Sequence, residues 1–232
     1  MGGMGEERDN YMFKLVYESE YKPYRNKCAE ILTKVCKMLK DEKNIIAQFT
    51  LIGSGARNLV TRNGNGYFDL DYNLEIIKAP DEYWNDPRKL KETVRVFLDR
   101  ASGAMHFSES QNSTVALTVL LFSYNENVVF KFDVALIKRN RNGTLCRLVN
   151  NKQWYFNGIQ GQYVWNEIPD SHNVKEKADR IKKSGKWNLV RERYVELKND
   201  YLSIQDNDHP SFIVYVETVN EIYGQLFPNQ KL

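Results

Sequence analysis

Polar and apolar side chains alternate strictly from Phe68 to Ile76. The polar positions in this stretch are Asp69, Asp71, Asn73 and Glu75. A period of two predicts a half-buried β-strand that carries its acidic side chains on one face. The two aspartates then lie about 7 Å apart at the backbone, so their side chains can converge on one cation.

Apolar residues that recur every three or four positions predict two helices in the first half of the chain. One runs from about residue 20 to 41, and its apolar face consists of Tyr24, Cys28, Ile31, Leu32, Val35 and Leu39. The other follows a cap formed by Asp86-Pro87, and its core face consists of Leu90, Val94, Phe97 and Leu98. Both helices are predicted to flank a sheet.

Runs of β-branched and aromatic residues predict the remaining strands. They cover residues 45–52, 114–122, 128–137, 145–149 and 152–156, and Asn142-Gly143 predicts a hairpin turn before the fourth of them. After about residue 160 the pattern becomes helical, with predicted helices at 173–184, at 187–201 and after Asp208-His209-Pro210. The elements indicate an α+β fold: a mixed sheet flanked by helices, with a small C-terminal helical lobe.

This layout predicts a core domain over residues 1–160 and a helical lobe over residues 161–232, with an active cleft between them. Residues 1–10 are rich in glycine and charge and are predicted to be disordered.

Gly53-Ser54-Gly55 follows the apolar run at 45–52. Small residues at this point allow backbone N–H groups to approach an anion closely. A phosphate-binding turn followed by a metal-binding strand is an arrangement suited to nucleotide transfer. The acidic strand has a simpler interpretation, in which its carboxylates face solvent and bind nothing.

A third acid, Asp133, lies inside the apolar run 128–137. A carboxylate in such a strand is costly unless it is paired or coordinates a metal. The alternative to metal binding is an ion pair with Lys131 or Arg139.

Three other motifs fail on the spacing of their residues. A calcium loop would need glycine and glutamate where Leu74 and Pro80 stand. A Walker loop would need Gly-Lys-Ser/Thr after four spacer residues, and Gly53 has no such sequel. The dinucleotide fingerprint would need a third glycine in place of Asn58.

The combination of Gly-Ser, Asp-x-Asp on a strand and a later single Asp resembles the DNA polymerase β-like nucleotidyltransferase superfamily. Phe132-Asp133-Val134 is similar to the branch that contains oligoadenylate synthetases, cyclic GMP-AMP synthase and bacterial cyclic-nucleotide synthases. Gly53-Ser54-x-Ala56-Arg57 also resembles the CCA-adding enzymes, in which an arginine at this spacing helps to hold the triphosphate. The motifs cover about a third of the chain, and a long link between Ser54 and Asp69 departs from the pattern.

The resemblance implies a metal-dependent nucleotidyltransferase that moves a nucleoside monophosphate from an NTP, ATP or GTP, to a hydroxyl acceptor. Asp69 and Asp71 would hold one Mg²⁺ and, together with Asp133, a second, with Mn²⁺ as a substitute. Asp133 would also serve as general base. The residues predicted to bind the nucleotide are Gly53, Ser54, Arg57, Lys183 and Lys186.

The charge distribution along the chain supports Lys183 and Lys186 as nucleotide-binding residues. The chain carries a net charge of +3, but residues 134–198 contain 14 Lys and Arg against 6 Asp and Glu, a net +8 that leaves −5 for the rest. A basic region suits a triphosphate or a nucleic-acid backbone. A solvated helix face is the plainer interpretation of the same lysines.

Composition predicts a cytoplasmic protein without a membrane partner. The 232 residues are 42% hydrophobic, no apolar run has the length of a membrane span, and the N-terminus has no signal-peptide core. Three cysteines without a Cys-x-x-Cys pair indicate reduced thiols.

Two other classes of function compete with nucleotidyl transfer. A non-catalytic nucleotide- or RNA-binding module could share the fold, although three convergent carboxylates would serve no purpose there. A glycoside hydrolase normally takes its carboxylates from opposite sides of a sugar cleft. The acceptor stays open: a nucleotide, an RNA end, a protein or a small molecule.

Overall fold

The structure, a computed structural model, describes residues 12–155, 158–169, 172–206 and 210–228. The helices in these residues are α1 (Glu18–Lys43), α2 (Gly53–Arg57), α3 (Asp81–Asn85), α4 (Pro87–Gly103), α5 (His172–Lys183), α6 (Trp187–Ser203) and α7 (Ser211–Leu226). The strands are β1 (Phe13–Leu15), β2 (Ile46–Ile52), β3 (Thr61–Asn63), β4 (Phe68–Lys78), β5 (Gln111–Asn112), β6 (Leu117–Phe122), β7 (Val128–Arg139), β8 (Leu145–Tyr155) and β9 (Gly158–Glu167). The predicted disorder of residues 1–10 and the predicted helix start at Asp208-His209 lie outside the described residues.

The chain divides into two compact units. The sheet unit comprises residues 18–57 and 67–168, and the helical unit comprises the described residues of 1–17, 58–66 and 169–232. The two units interleave along the sequence, whereas the predicted domains follow one another. The predicted boundary between residues 160 and 161 stays a prediction.

The sheet unit is built on a mixed sheet with the strand order β2-β4-β7-β6-β5, and β8 and β9 extend it from the far end of β7. β4 and β7 are parallel, and the other pairs of this sheet are antiparallel. One face is apolar: Leu70 and Leu74 of β4 are fully buried, as are Phe130 and Phe132 of β7. Helix α1 packs on this face, where the ring of Tyr24 lies 5.2 Å from that of Phe68. The mixed sheet with flanking helices confirms the predicted α+β class.

The helical unit has its own core. Residues of α5, α6 and α7 form it together with Leu59. Strands β1 and β3 pair antiparallel in the same unit, and the side-chain amide of Asn199 in α6 is bonded to the main chain of Phe13 in both directions, at 2.7 and 3.1 Å. The unit therefore combines helices of the predicted lobe with a short sheet formed by residues outside that lobe.

Several predicted elements are confirmed. α1 extends two residues beyond the predicted 20–41 at each end, and the side chain of Asp86 caps α4 by accepting from Lys89 N at 3.0 Å. The Asn142-Gly143 turn joins β7 to β8, and Gly143 has a positive φ of 81° that a hairpin turn of this kind requires.

One prediction about the region near residue 160 is wrong. The predicted strands 145–149 and 152–156 are confirmed as strand up to Tyr155, although they form one continuous strand, β8, and Phe156 lies outside the described residues. The helix predicted at 173–184 is confirmed as α5, but the helical pattern does not begin after residue 160, because residues 158–167 form β9 and pair with β8. In β9, the pairing of Tyr163, Val164 and Trp165 with β8 determines the structure, although the local sequence pattern favours a helix.

Candidate active site

The parallel pairing of β4 with β7 brings the predicted acidic residues together. Asp71 lies directly opposite Asp133, and Asp69 lies opposite Lys131. Neighbouring strands are separated by about 4.8 Å, so side chains opposite each other share one face. The face opposite the apolar core therefore carries all three aspartates.

Lys131 lies between two of these carboxylates. Its Nζ is 3.6 Å from Asp69 Oδ2 and 4.0 Å from Asp133 Oδ2. The ion pair considered as an alternative role for Asp133 is thus present in the structure, with Lys131 as the partner. Arg139 instead bonds Glu75, whose second oxygen accepts from Gln48, so Glu75 is held away from the aspartates.

Asp133 has a second contact that fixes its orientation. The hydroxyl of Thr118, which lies opposite it in β6, donates to Asp133 Oδ1. Oδ2 is the atom that faces Lys131. One carboxylate oxygen is therefore held by the sheet, while the other is directed toward the neighbouring charges.

The carboxyl of Asp71 has a pKa above its ordinary value. Burial raises its pKa to about 6, and the negative charges of Asp69 and Asp133 add to the rise. The positive charges of Lys131 and Arg147 lower the same pKa and offset part of this effect. A buried carboxylate among like charges favours the approach of a cation.

The glycine turn after β2 packs directly against Asp71. Gly53 has a positive φ of 63°, and a Cβ added there would overlap Asp71 Oδ2 and lie 3.2 Å from its Cγ. A Cβ on Gly55 would lie 2.8 Å from a methyl of Leu70. Both glycines thus allow the turn to approach β4 closely.

The other predicted nucleotide-binding residues lie farther along the chain. Arg57 is half-buried at the end of the short helix α2. Lys183 is the last residue of α5 and Lys186 is the residue that precedes α6; both are exposed and belong to the helical unit. Within the part of the chain that the structure describes, the side chain of neither lysine has a hydrogen bond or an ion pair.

Tyr163 and Trp165 do not lie on the acidic face. Trp165 is opposite Leu148, whose neighbour Arg147 is on the acidic side of the sheet, so the alternation directs Trp165 to the other face. There Lys138 Nζ lies 4.7 Å from the centre of the Trp165 ring, and the Tyr163 hydroxyl accepts from Asn112 at 3.2 Å. Their contacts are those of packing residues.

The donor set fits a hard divalent cation, because carboxylate oxygens are the ligands that Mg²⁺ prefers. The burial of Asp71 and the negative charges of Asp69 and Asp133, which together raise its pKa, support this fit. Among the described residues, however, no three His, Cys, Asp or Glu side chains already stand in a ligand arrangement. Lys131 occupies the space between Asp69 and Asp133 in which a cation would bind.

Sequence reasoning missed Thr118 and Arg147 as parts of this face. Neither stands in a recognisable motif, and only the strand register shows that Thr118 is opposite Asp133 and Arg147 opposite Ile137. Lys131 was predicted only as an ion-pair partner.

Comparison with known proteins identifies the fold. Neither a protein-family profile nor a curated protein matches the sequence. The solved structure of an E. coli MS115-1 CdnC complex with HORMA-deltaN is similar at 14% identity and a TM-score of 0.53, over 90% of this chain and 61% of that one. E. coli MS115-1 CdnC with ATP is similar at 16% identity and a TM-score of 0.52, over 93% of this chain and 64% of that one. Bradyrhizobium diazoefficiens CD-NTase CdnG, in complex with GTP, shares 16% identity and a TM-score of 0.45, over 73% and 43%.

The chain has the nucleotidyltransferase fold. The structures that it resembles are CD-NTases of the DNA polymerase β-like superfamily, so the resemblance drawn from the motifs is confirmed for the fold. The chain spans less than two thirds of the length of each of the three.

Two predictions from composition can be compared with the structure. In the described residues, none of the helices combines the length and the apolar character needed to cross a membrane. Cys28, Cys36 and Cys146 are free thiols, and burial raises the pKa of Cys36 to about 11.

Proposed function

We propose that the protein is a metal-dependent nucleotidyltransferase that moves a nucleoside monophosphate from ATP or GTP to a hydroxyl acceptor. The observation that carries the proposal is the register of β4 and β7, which sets Asp71 opposite Asp133, with Asp69 two residues earlier in β4 on the same face of a nucleotidyltransferase fold. Three carboxylates in this position are costly to the folded protein unless a cation or a substrate compensates them.

Asp69 and Asp71 would hold one Mg²⁺, and with Asp133 they would hold a second, with Mn²⁺ as a substitute. Such ions supply charge neutralisation on the phosphate oxygens and a lower pKa for the acceptor hydroxyl. Gly53 and Ser54 would bind the leaving phosphates through backbone and hydroxyl donors, and Arg57, Lys183 and Lys186 would add positive charge.

The chain's own residues account for the proton. Asp133, oriented by Thr118, accepts the proton of the acceptor hydroxyl as its oxygen attacks the α-phosphorus. A new O–P bond forms, the bond from the α-phosphorus to the bridging oxygen breaks, and pyrophosphate leaves with that oxygen. Lys131 would leave its position between Asp69 and Asp133 when the metal binds.

One observation favours a second candidate, a non-catalytic nucleotide- or RNA-binding module on the same fold. Lys131 already neutralises two of the three aspartates, as in a structural ion-pair cluster.

A cytoplasmic location and a division into a catalytic core at 1–160 and a lobe at 161–232 remain part of the proposal.

The test incubates the purified protein with each α-³²P-labelled NTP, singly and mixed, with Mg²⁺ or Mn²⁺. We expect labelled transfer products that disappear in Asp69→Ala and Asp133→Ala while both variants keep the wild-type circular dichroism spectrum. Glu75→Gln is the matched control. Glu75 is an acidic residue on the same face of β4, but its side chain accepts a hydrogen bond from Arg139 and is not part of the aspartate group.

The outcomes separate the two candidates. Products in the wild type and in Glu75→Gln, but not in the aspartate variants, support transfer. Full activity in Asp69→Ala would contradict the metal assignment. Nucleotide binding without metal, and without any product, would favour the binding module.

A further inference from the structure

Thr118 contacts Asp133 from the side of β7 that lies away from the other two aspartates. In the strand order β4-β7-β6, Asp133 has Asp71 of β4 on one side and Thr118 of β6 on the other. The hydroxyl of Thr118 donates to Asp133 Oδ1. Asp133 Oδ2 faces Lys131, which also pairs with Asp69. The two oxygens of this carboxylate therefore have different neighbours, a hydroxyl of β6 and the charged group beside β4.

The register of β6 against β7 fixes the contact. Leu117 and Val119, the two neighbours of Thr118 in β6, are fully buried on the apolar face. Their partners in β7, Val134 and Phe132, are fully buried as well. A slip of one residue would turn these apolar side chains toward the acidic face, so the burial of the core specifies the pairing. Threonine is β-branched and restricted at χ1, which limits the positions that its hydroxyl can take.

An ion bound among the three aspartates would meet Asp133 through Oδ2. Chelation through both oxygens would require the carboxylate to turn about its Cβ–Cγ bond, and this turn would break the hydrogen bond from Thr118. The torsion itself is soft, so the hydroxyl is the group that opposes the turn. A hydrogen bond to a carboxylate is stronger than one between neutral groups. Thr118 therefore favours Asp133 as a ligand through one oxygen.

Coordination through one oxygen distinguishes between divalent cations. Mg²⁺ requires a nearly octahedral shell at about 2.0–2.1 Å, in which each carboxylate oxygen occupies its own corner. Mn²⁺ takes an octahedral shell of oxygens, as Mg²⁺ does. Ca²⁺ takes about six to eight oxygens in a wider and more flexible shell, and a carboxylate can bind it through both oxygens. A carboxylate restricted to one oxygen thus disfavours Ca²⁺ more than Mg²⁺ or Mn²⁺.

We propose that Thr118 is a positioning residue that presents Asp133 to the metal through Oδ2 and makes the site select Mg²⁺ and Mn²⁺ over Ca²⁺, an inference that rests on the proposed function. Thr118 touches neither the metal nor the substrate, and it acts only through Asp133. The selectivity of the site then depends on a residue outside the sequence motifs that supply its ligands.

The test compares the affinities of two ions for the same protein. Isothermal titration calorimetry at pH 7.5 measures the Kd of the metal-free protein for MnCl₂ and, separately, for CaCl₂. Where CaCl₂ alone gives no heat, its Kd follows from competition with bound Mn²⁺. The measured quantity is the ratio of the Ca²⁺ Kd to the Mn²⁺ Kd, because a partial loss of folded protein lowers the apparent affinities for both ions together and leaves their ratio unchanged.

Thr118→Val removes the hydroxyl and keeps the β-branched shape. Its Mn²⁺ Kd should rise about tenfold, the usual effect of losing a hydrogen-bond partner of a metal ligand. Its Ca²⁺ Kd should change by no more than about twofold, because Asp133 becomes free to chelate through both oxygens. The ratio therefore falls at least about fivefold from that of the wild type, in which Mn²⁺ binds more tightly than Ca²⁺. Thr118→Ser keeps the hydroxyl and should retain the wild-type ratio.

Two further variants separate the hydroxyl from packing. Thr118→Ala also lacks the hydroxyl, so it should repeat the fall in the ratio with a different effect on packing. Thr50→Val is the matched control, because Thr50 is an exposed residue of β2 that lies opposite Asn73 on the same face of the sheet. It should leave the ratio at the wild-type value.

The failures of the inference and of the proposed function are distinguishable. If Mn²⁺ binds the wild type and Asp69→Ala weakens that binding, but Thr118→Val leaves the ratio unchanged, the inference is overturned while the proposed function stands. A ratio in Thr118→Ser as low as in Thr118→Val would also overturn it, since the hydroxyl would not be the cause. If the wild type binds neither ion, the proposed metal-dependent function fails, and the role of Thr118 fails with it.

Discussion

At the scale of single residues, Asp71 combines burial with two like-charged neighbours. Its pKa is raised to about 6 from an ordinary value of 3.8, by burial first and then by Asp69 and Asp133. The unfolded chain loses this proton near pH 4, whereas the folded chain keeps it until about pH 6. Stability is therefore lost as the pH rises through this interval, by at most about 3 kcal/mol.

The first prediction follows from this sign. Asp71→Asn removes the ionisation, so in metal-free buffer it should raise the free energy of unfolding at pH 7.5 and change it little at pH 4.5. Urea unfolding at the two pH values measures the difference. Added Mg²⁺ should stabilise the wild type but not the variant. A variant less stable than the wild type at pH 7.5 without metal would contradict the account.

Lys131 gives the second prediction, because it pairs with Asp69 and Asp133 and would compete with the proposed metal for both carboxylates. Lys131→Met should increase the affinity for Mn²⁺ severalfold in calorimetry and lower the unfolding temperature of the metal-free protein. The half-buried ion pairs that it loses are worth about 1 kcal/mol, which sets the size of both effects.

Lys138→Met is the control for this change. Lys138 lies in the same strand but on the opposite face, over the Trp165 ring, so its loss should leave the Mn²⁺ affinity unchanged. Weaker Mn²⁺ binding in Lys131→Met would show that the lysine assists the metal site instead of competing with it.

At the scale of elements, the sequence predicts a helix or turn correctly where neighbouring residues alone determine its structure. The helix capped by Asp86 and the turn at Asn142-Gly143 were predicted from nearby residues alone. β9 was not, because its pairing with β8 decides its structure. Alternation predicted which face of β4 carries the acids. The positions of Lys131 and Arg147 beside these acids depend on the register between strands that are far apart in the sequence. A single sequence does not reveal that register.

The third prediction concerns the turn between β2 and α2. Gly53→Ala adds a Cβ at a positive φ of 63° and forces it against the Asp71 carboxylate. We expect a loss of about 2 kcal/mol or more in the free energy of unfolding, together with loss of nucleotide binding, because Asp71 must move. Urea unfolding and titration with α,β-methylene-ATP measure the two effects.

Gly143→Ala separates the cost of backbone strain from the cost of the steric overlap between a Cβ at position 53 and Asp71. Gly143 also has a positive φ, 81°, but a Cβ there meets no described atom within 4 Å. Its cost should be only the backbone strain of about 1 kcal/mol, with nucleotide binding retained. Equal effects of the two substitutions would show that Gly53 is selected for its backbone alone and not for its approach to Asp71.

At the scale of the whole molecule, charge is distributed unevenly along a chain with a small net charge. Residues 134–198 carry a net +8, and the remainder of the chain carries −5. Lys177 and Arg180 of α5 are engaged with Asn220 and Tyr223, and Lys182 lies over the Trp187 ring. The side chains of Lys183 and Lys186 have no such contacts to described residues, and both lysines belong to the proposed nucleotide-binding set.

The fourth prediction tests those two lysines. Lys183→Ala/Lys186→Ala should weaken the binding of α,β-methylene-ATP with Mg²⁺ about tenfold at 50 mM salt, because two positive charges near a triphosphate are lost. The difference from the wild type should shrink as salt rises, since screening weakens the same charges in the wild type. Lys175→Ala, an exposed lysine of the same helix as Lys183, is the control and should bind like the wild type. If Lys175→Ala reduced the affinity by as much per charge removed as the double variant does, the basic region would act only through its overall field, and specific triphosphate contacts by Lys183 and Lys186 would be excluded.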